Sequence, residues 1–498
     1  MIDALRGWLD NVGPSYPAAF LVAAVTTVLL VPAVRRLAVA RGVVDKPDLA
    51  RRVHTRTTPR WGGIAIAAGF FASLMVLWLL DTGVARYFAR DINRVLVIVG
   101  GGLAMLGLGV YDDARGANAV IKLSVQIPAA LLLPALGFSF DVVALPWGGN
   151  LYVGPFGSLL AVLWVVGVTN AINLIDGLDG LAAGVAFVAV AVTFVIGVAG
   201  DKIIMALVSV ALAGALLGFL FHNFHPANIF MGDAGSLFIG YVVAASSVMA
   251  NFKSQTTVAL AVPVLLLGLP ILDTSLAFFR RMLRGRSPLS ADRDHVHHRL
   301  LAFGLSHRNV VLVMWGFSLL CASATLAVYF SPAKNAVWIL LAYGVIVLIL
   351  ARRLGYVRME RWRAEFRDGR EAKRVRRARV ETVRTVADRV RQAANVDEAF
   401  HVLTDAHALY GYDEVQLEVH AAAAPQNTVL DWRRPTPRVG AGAEAFEVTF
   451  DLDAPGAHGR ISYRYRDGRR GIEVEDESLL RLLHQALRAP LERQFGAR

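Results

Sequence analysis

The chain has 498 residues, 55% of them hydrophobic and only 18% charged, with a net charge of +12 and a mean hydropathy of +0.50. That balance excludes an ordinary soluble enzyme and points to a polytopic membrane protein. The single cysteine, Cys321, excludes an intramolecular disulfide and reads as a packing residue in an apolar run.

Spans of roughly 17 to 25 apolar residues cross a bilayer. About eleven are expected, at 16–38, 62–81, 93–111, 121–140, 156–173, 180–199, 203–221, 235–251, 257–279, 309–330 and 335–352. The first lacks a cleavage site and a basic region ahead of it, so it reads as a retained span and not a signal peptide. Loop charge sets the orientation. The connection after the first span carries Arg41, Lys46, Arg51, Arg52, Arg56 and Arg60, and the one after the ninth is equally rich in arginine. Both should face the cytoplasm, with the N-terminus outside and the tail inside. The 82–92 loop is a mild exception, its Arg86 and Arg90 offset by Asp81 and Asp91.

Apolar character ends near Leu354. A basic helix is expected over about 358–394; its excess of Arg and Lys suits anionic lipid headgroups and does not suggest nucleic acid. Beyond it, Val396 to Leu409 reads as a helix, Glu414 to His420, Ala445 to Leu452 and Arg460 to Arg466 alternate like strands, and Glu473 to Phe495 reads as an amphipathic helix. The expected fold class is therefore an all-α polytopic membrane protein with a C-terminal cytoplasmic α+β domain. The parts are a transmembrane domain at 1–354, a basic helical linker at 355–394 and the α+β domain at 395–498. That last domain carries no nucleotide loop, metal-spaced Cys/His set or nucleophile elbow. It reads as regulatory and resembles a GAF-type sensor fold.

The chemistry is concentrated in acids at the span ends, where charges near hydrocarbon are costly and by default functional. Asp112 and Asp113 close the third span; adjacent carboxylates repel unless a cation neutralises them, so they suggest a Mg²⁺-diphosphate site, the bland alternative being solvated helix-end acids. The stretch Asn170 to Gly180 holds Asn170, Asn173, Asp176 and Asp179. Asp176 and Asp179 would share a face if helical, and hard oxygen ligands of this kind suit Mg²⁺ completed by substrate phosphate; a polar turn is the plain alternative. Asp233 sits between Gly232 and Ala234-Gly235, where glycine clears room for a phosphate, and is the sharpest metal-ligand candidate. Ser236 is expected to cap the following helix; a simple cap role for Asp233 is the alternative. His295, His297 and His298, flanked by Arg293 and Arg299, favour an anion over Zn²⁺. Asp273, inside the ninth span, is another intramembrane acid and so a functional candidate; a structural ion pair with Arg280, seven residues on and on the same helical face, is the plain alternative. Lys46 suits a phosphate or serves as a positive-inside anchor.

These motifs, in their order, resemble the polyprenyl-phosphate N-acetylhexosamine-1-phosphate transferases: Asp45-Lys-Pro with Pro59 to Gly63, Gly109-Val-Tyr-Asp-Asp113, Thr169 to Ala182, Phe230-Met-Gly-Asp-Ala-Gly-Ser236 and Asp292-Arg-Asp-His-Val-His-His298. The resemblance covers residues 1 to about 352. It implies transfer of a sugar 1-phosphate from a UDP-sugar to undecaprenyl phosphate with release of UMP, requiring Mg²⁺, or Mn²⁺ in its place. The run His295-Val-His-His298 favours the branch that uses UDP-N-acetylglucosamine or a related UDP-HexNAc over the peptidoglycan branch, which uses UDP-N-acetylmuramoyl-pentapeptide. The roles implied are a catalytic group of Asp112, Asp113, Asp176, Asp179 and Asp233, with Asp233, Asp179 and Asp176 on the metal. Lys46, Asn170, Asn173, Arg293, His295, His297 and His298 would bind substrate. A homodimer and membrane lipids complete the expected partners, and the setting is a bacterial inner membrane. A cation-coupled transporter would also explain intramembrane acids, but the chain shows no internal repeat and its acids sit at span ends.

Overall fold

The computed structural model describes residues 13–45, 57–140, 142–144, 150–251, 261–268, 270–271, 273–275, 296–353, 378–406, 412–421, 428–434, 446–455, 457–466 and 474–495. They form two compact units, the first holding the described residues through Arg353 and the second those from 378 onward.

The first unit is helical. Among the described residues, eight helices are long and apolar enough to cross a membrane. Four lie before the carboxylate motifs of the middle of the chain: α1 (Ser15–Ala40), α2 (Gly62–Leu80), α4 (Ile92–Arg115) and α6 (Phe156–Ile175). The others are α7 (Leu181–Ala199), α8 (Ile203–Asn223), α9 (Gly232–Asn251) and α12 (His307–Phe330). Two of the eleven expected spans are shorter apolar helices: α5 (Ala119–Ala135) and the 335–349 part of α13 (Ala333–Arg353). α5 stops short of residue 140 because Pro128 and Pro134 lie within it and Gly137 follows with φ 88°. The run at 257–279 lies partly outside the described residues and includes the short helix α10 (Ala261–Leu266).

Two loops carry structure that apolar patterning does not reveal. Residues 82–90 form α3 (Thr82–Arg90), started by Asp81, whose carboxylate accepts the Gly83 and Val84 N–H groups at 2.8 and 3.1 Å and also bonds Ser15. Between α5 and α6, β3 (Val142–Ala144) pairs antiparallel with β4 (Asn150–Tyr152). A smaller hairpin, β1 (Val44–Asp45) with β2 (Thr58–Pro59), follows α1.

α8 and α9 are the most enclosed spans. α8 packs on α1, α7 and α2, while α9 packs on α4, α6 and α2. Their side chains are apolar nearly all round, as a helix buried inside a bundle requires. α4 is not regular: it makes a π turn at Val97–Gly101. The Tyr241 hydroxyl of α9 lies 3.0 Å from the Val97 carbonyl and 3.3 Å from that of Ala129 in α5, supplying a partner at the irregular turn. Farther along α4, Gly109 lies so close to α9 that a Cβ there would meet the Asp233 carbonyl and Ala234. Cys321 is buried, its sulfur 3.0 Å from the Tyr343 hydroxyl, as a packing thiol would be.

The second unit is an antiparallel sheet in the order β6-β5-β8-β7, formed by β5 (Glu414–Ala421), β6 (Thr428–Arg433), β7 (Phe446–Ala454) and β8 (Ala457–Tyr465). A helix over 378–392, then α15 (Val396–Asp405), α16 (Val474–Ala486) and α17 (Arg488–Phe495) complete it. Val415, Leu417 and Val419 alternate into the core with Ile461, Tyr463 and Tyr465 of β8. The final helix is interrupted at Leu487, where Pro490 lacks the N–H that a continuous helix would need. The first half of the expected basic helix, at 358–377, lies outside the described residues.

Gly109→Val should lower the melting temperature of the detergent-solubilised protein, since overpacking costs about 1–3 kcal/mol. Gly107→Val, where a Cβ meets open space, should leave it unchanged.

Candidate active site

The site begins with backbone pairing. The Pro59 carbonyl accepts the Phe230 N–H at 2.8 Å, and Gly62 and Gly63 donate to the Phe230 and Met231 carbonyls at 2.9 Å. The first basic loop is thereby laced to the start of α9. From the other side Asp113, in the last turn of α4, accepts the N–H groups of Asp233 and Ala234 at 3.0 and 3.1 Å, one on each oxygen. A helix start leaves such N–H groups without intrahelical partners. Here an acid 120 residues away in sequence satisfies them. Gly232, with φ 71°, must be glycine twice over: the backbone is left-handed and a Cβ would strike the Asp113 carboxylate.

Ser236 does not take the capping role expected of it. It lies inside α9, where its hydroxyl donates to the Gly232 carbonyl at 3.1 Å and accepts from Asn173 Nδ2 at 2.8 Å. Asn173 also donates to Asp233 at 2.9 Å, and Lys122 of α5 donates to the other Asp233 oxygen at 2.6 Å. The same ammonium pairs with Asp112, whose second oxygen accepts the Ala117 N–H. One half-buried lysine therefore holds two acids, each from a different helix.

Asp176 and Asp179 are not on a helix face. α6 ends at Ile175, and both acids lie in the turn before α7. Asn223 at the end of α8 fixes that turn, accepting the Gly180 N–H at 2.9 Å and donating to the Ile229 carbonyl at 2.8 Å. One oxygen of the buried Asp179 accepts from His225 Nδ1 at 2.8 Å and from the Ala227 N–H at 3.1 Å. Its other oxygen, Oδ1, is buried with no hydrogen-bond partner.

Asp113, Asp176, Asp179 and Asp233 line one cavity of about 270 Å³, together with Asp45 and Arg60. Asp45 and Arg60 pair at 2.6 Å across the β1–β2 hairpin. Burial, followed by the charges of Asp233 and Asp113, pushes the Asp176 carboxyl up to about 8. Negative charge is therefore in excess. A divalent cation fits this donor set: a buried carboxylate oxygen is orphaned, and Asp176 is opposed by like charges. Among the described residues, no three acids, histidines or cysteines already stand at ligand spacing. Mg²⁺ needs only one or two carboxylates when water and phosphate complete its shell.

Not every expected residue meets at the cavity. The Asn170 amide pairs with Gln126 at 2.8 Å and does not line it. Lys46, Arg293 and His295 lie outside the described residues, as does Arg280, the candidate partner of Asp273. His297 and His298 fall in α11 (Val296–Ala302), whose first N–H, from Val296, is held by the buried Asp273 carboxylate at 2.9 Å. Arg60, Asn223 and His225 are the contributors that patterning missed. Arg60 read only as one of many loop cations.

Such an arrangement defines a class: a helical membrane protein whose span ends gather carboxylates and basic groups around one small polar chamber. A family model described as Glycosyl transferase family 4 matches residues 95–251. The probable undecaprenyl-phosphate N-acetylglucosaminyl 1-phosphate transferase of Bacillus subtilis is 36% identical over 341 residues, 68% of this chain and 92% of that protein. The decaprenyl-phosphate N-acetylglucosaminephosphotransferase of Mycolicibacterium smegmatis is 38% identical over 360 residues, 67% of this chain and 88% of that protein. The undecaprenyl-phosphate alpha-N-acetylglucosaminyl 1-phosphate transferase of Salmonella typhi is 27% identical over 368 residues, covering 71% and 94%. The chain belongs to glycosyl transferase family 4.

Asp113→Ala should speed amide exchange at Asp233 and Ala234 by about tenfold, because a capping interaction of about 1 kcal/mol or more is lost; exchange measured by mass spectrometry on the solubilised protein checks this.

Proposed function

We propose that this protein transfers N-acetylglucosamine 1-phosphate, or a related HexNAc 1-phosphate, from a UDP-sugar to undecaprenyl phosphate and releases UMP. This would be the first membrane step of a cell-envelope polysaccharide pathway. The observation that carries the reading is the chamber lined by Asp113, Asp176, Asp179 and Asp233, in a chain whose relatives bear the names of such transferases. An acidic chamber repels a diphosphate unless a cation accompanies it, so the excess negative charge argues for a metal-borne substrate.

The reaction forms a bond from an acceptor phosphate oxygen to the β-phosphorus of the UDP-sugar and breaks the bond from that phosphorus to the oxygen bridging to the α-phosphate, which leaves with UMP. Such a step needs mainly positioning and charge neutralisation. Mg²⁺, when bound, would offset the diphosphate charge, with Asp233, Asp179 and Asp176 as its holders. Arg60 and Lys122 offer positive charge to the phosphates. Asp113 fixes the start of α9, and Asp112 orients Lys122. Neither acid needs to remove a proton, because a phosphate monoester is already largely ionised near neutral pH. His295, His297, His298 and Arg293 are assigned to the nucleotide-sugar, and Lys46 to a phosphate. The chamber is assigned to the cytoplasmic face, and the second unit to a regulatory role in the cytoplasm.

The test is the full chain in detergent with undecaprenyl phosphate, Mg²⁺ and a panel of UDP-sugars that includes UDP-N-acetylmuramoyl-pentapeptide, read as UMP release. Turnover is expected with UDP-N-acetylglucosamine or a related UDP-HexNAc, and it should stop when the metal is chelated. Asp233→Asn should cut the rate by about 100-fold or more, the scale of losing one charge-stabilising group, while the protein remains folded. A chain ending after Arg353 should keep its basal rate in the same assay.

A further inference from the structure

The segment 82–94 breaks the charge bias seen elsewhere, placing Arg86, Arg90 and Arg94 at the end of the bundle opposite the carboxylates. Helix lengths fix that placement. α8 runs from Ile203 to Asn223 beside the carboxylates, about 30 Å at the rise of a helix, and α9 from Asp233 to Met249 spans about 24 Å. Both distances approach the thickness of a bilayer's hydrocarbon core.

At that far end lies a second cavity, of about 390 Å³. Its floor is apolar, made by the buried Ile204 and Val208 of α8 and Met249 of α9. Its rim is cationic, with Arg90, Arg94 and Lys202 against Asp91 and Asp201. Arg94 is paired with Asp91 at 2.7 Å and stacks on Phe138. Cations therefore outnumber acids at the rim. Burial, and after it the charge of Arg94, lower the Lys202 ammonium from its ordinary value.

We propose that this cavity binds a phosphate group carried on an apolar chain, at the membrane face opposite the carboxylate chamber. Two arginines and a lysine are the side chains that recognise phosphate best, and the volume falls within the range of small-ligand pockets. The apolar floor accounts for the tail, which a free phosphate lacks. A lipid diester such as phosphatidylglycerol and a polyprenyl phosphate monoester share this chemistry. The proposal rests on the membrane fold and not on the transferase reading, so loss of either leaves the other standing.

The experiment is native mass spectrometry of the full chain in an uncharged detergent, titrated with dihexanoyl-phosphatidylglycerol, dihexanoyl-phosphatidylcholine, farnesyl phosphate and glycerol phosphate. One saturable copy of phosphatidylglycerol, farnesyl phosphate or both is expected, with glycerol phosphate and phosphatidylcholine bound at least about tenfold more weakly. The tighter of the first two identifies the source. Arg90→Gln and Lys202→Gln should each weaken the adduct about tenfold, the worth of one charge-assisted hydrogen bond, with an unchanged melting temperature in lipid-free detergent. Arg86→Gln, on the same helix but off the cavity wall, should bind as the parent does. Equal binding of phosphatidylcholine, or an undiminished adduct in both cavity variants, would overturn the proposal.

Discussion

A carboxylate on one span holds the first amides of another, and the polar chamber depends on that contact. Asp113 takes the Asp233 and Ala234 N–H groups, so α4 and α9 cannot shift independently at this end. Gly109 and Gly232 let the two backbones come close enough for it. With α9 anchored, the Asp233 side chain is free to meet Lys122 and Asn173, and Lys122 in turn fixes Asp112. Near hydrocarbon each of these charges would be costly alone. Together they are partnered, and Asp176 and the bare Asp179 oxygen are left to face the chamber.

Hydropathy and costly charges made the membrane part legible. The ends of α1, α2, α6, α7 and α8 fall within a few residues of the apolar runs, and Asp113, Asp176, Asp179 and Asp233 were recognisable as charges in the wrong solvent, whereas Asp45, which also lines the chamber, sits in a basic loop and was not. Their partners were not. Lys122 meets Asp233 across 111 residues and His225 meets Asp179 across 46, and no periodicity encodes such encounters. Helical spacing also misled at Asp176 and Asp179, because the helix already ends at Ile175 and the left-handed Gly180 starts the next one, so a turn does what a face was expected to do. In the second unit alternation revealed three strands. β6 escaped because Thr428–Arg433 mixes Asp431 and Arg433 with its apolar residues and its outward positions include Val429. The amphipathic α3 was read as a loop because it is short and charged; its start is set by Asp81, a local capping signal easily passed over between two long apolar runs.

The two cavities divide the bundle by sign. The one near the starts of α7 and α9 collects acids, and the one near the start of α8 collects cations. α8 and α9, the most enclosed spans, connect them. The two ends of the bundle thus carry opposite charge excess, and the field along its length is part of its architecture.

The π turn in α4 ties these ends together. A helix advances about 100° per residue, so the interval from Arg94 to Asp113 would leave the two side chains about a quarter-turn apart on a regular helix. Accommodating one surplus residue at Val97–Gly101 removes about 100° of that winding and brings them onto a common azimuth. One helix thereby presents a cation to the far cavity and an acid to the chamber, and the Tyr241 hydroxyl bonds the Val97 carbonyl at the turn between them.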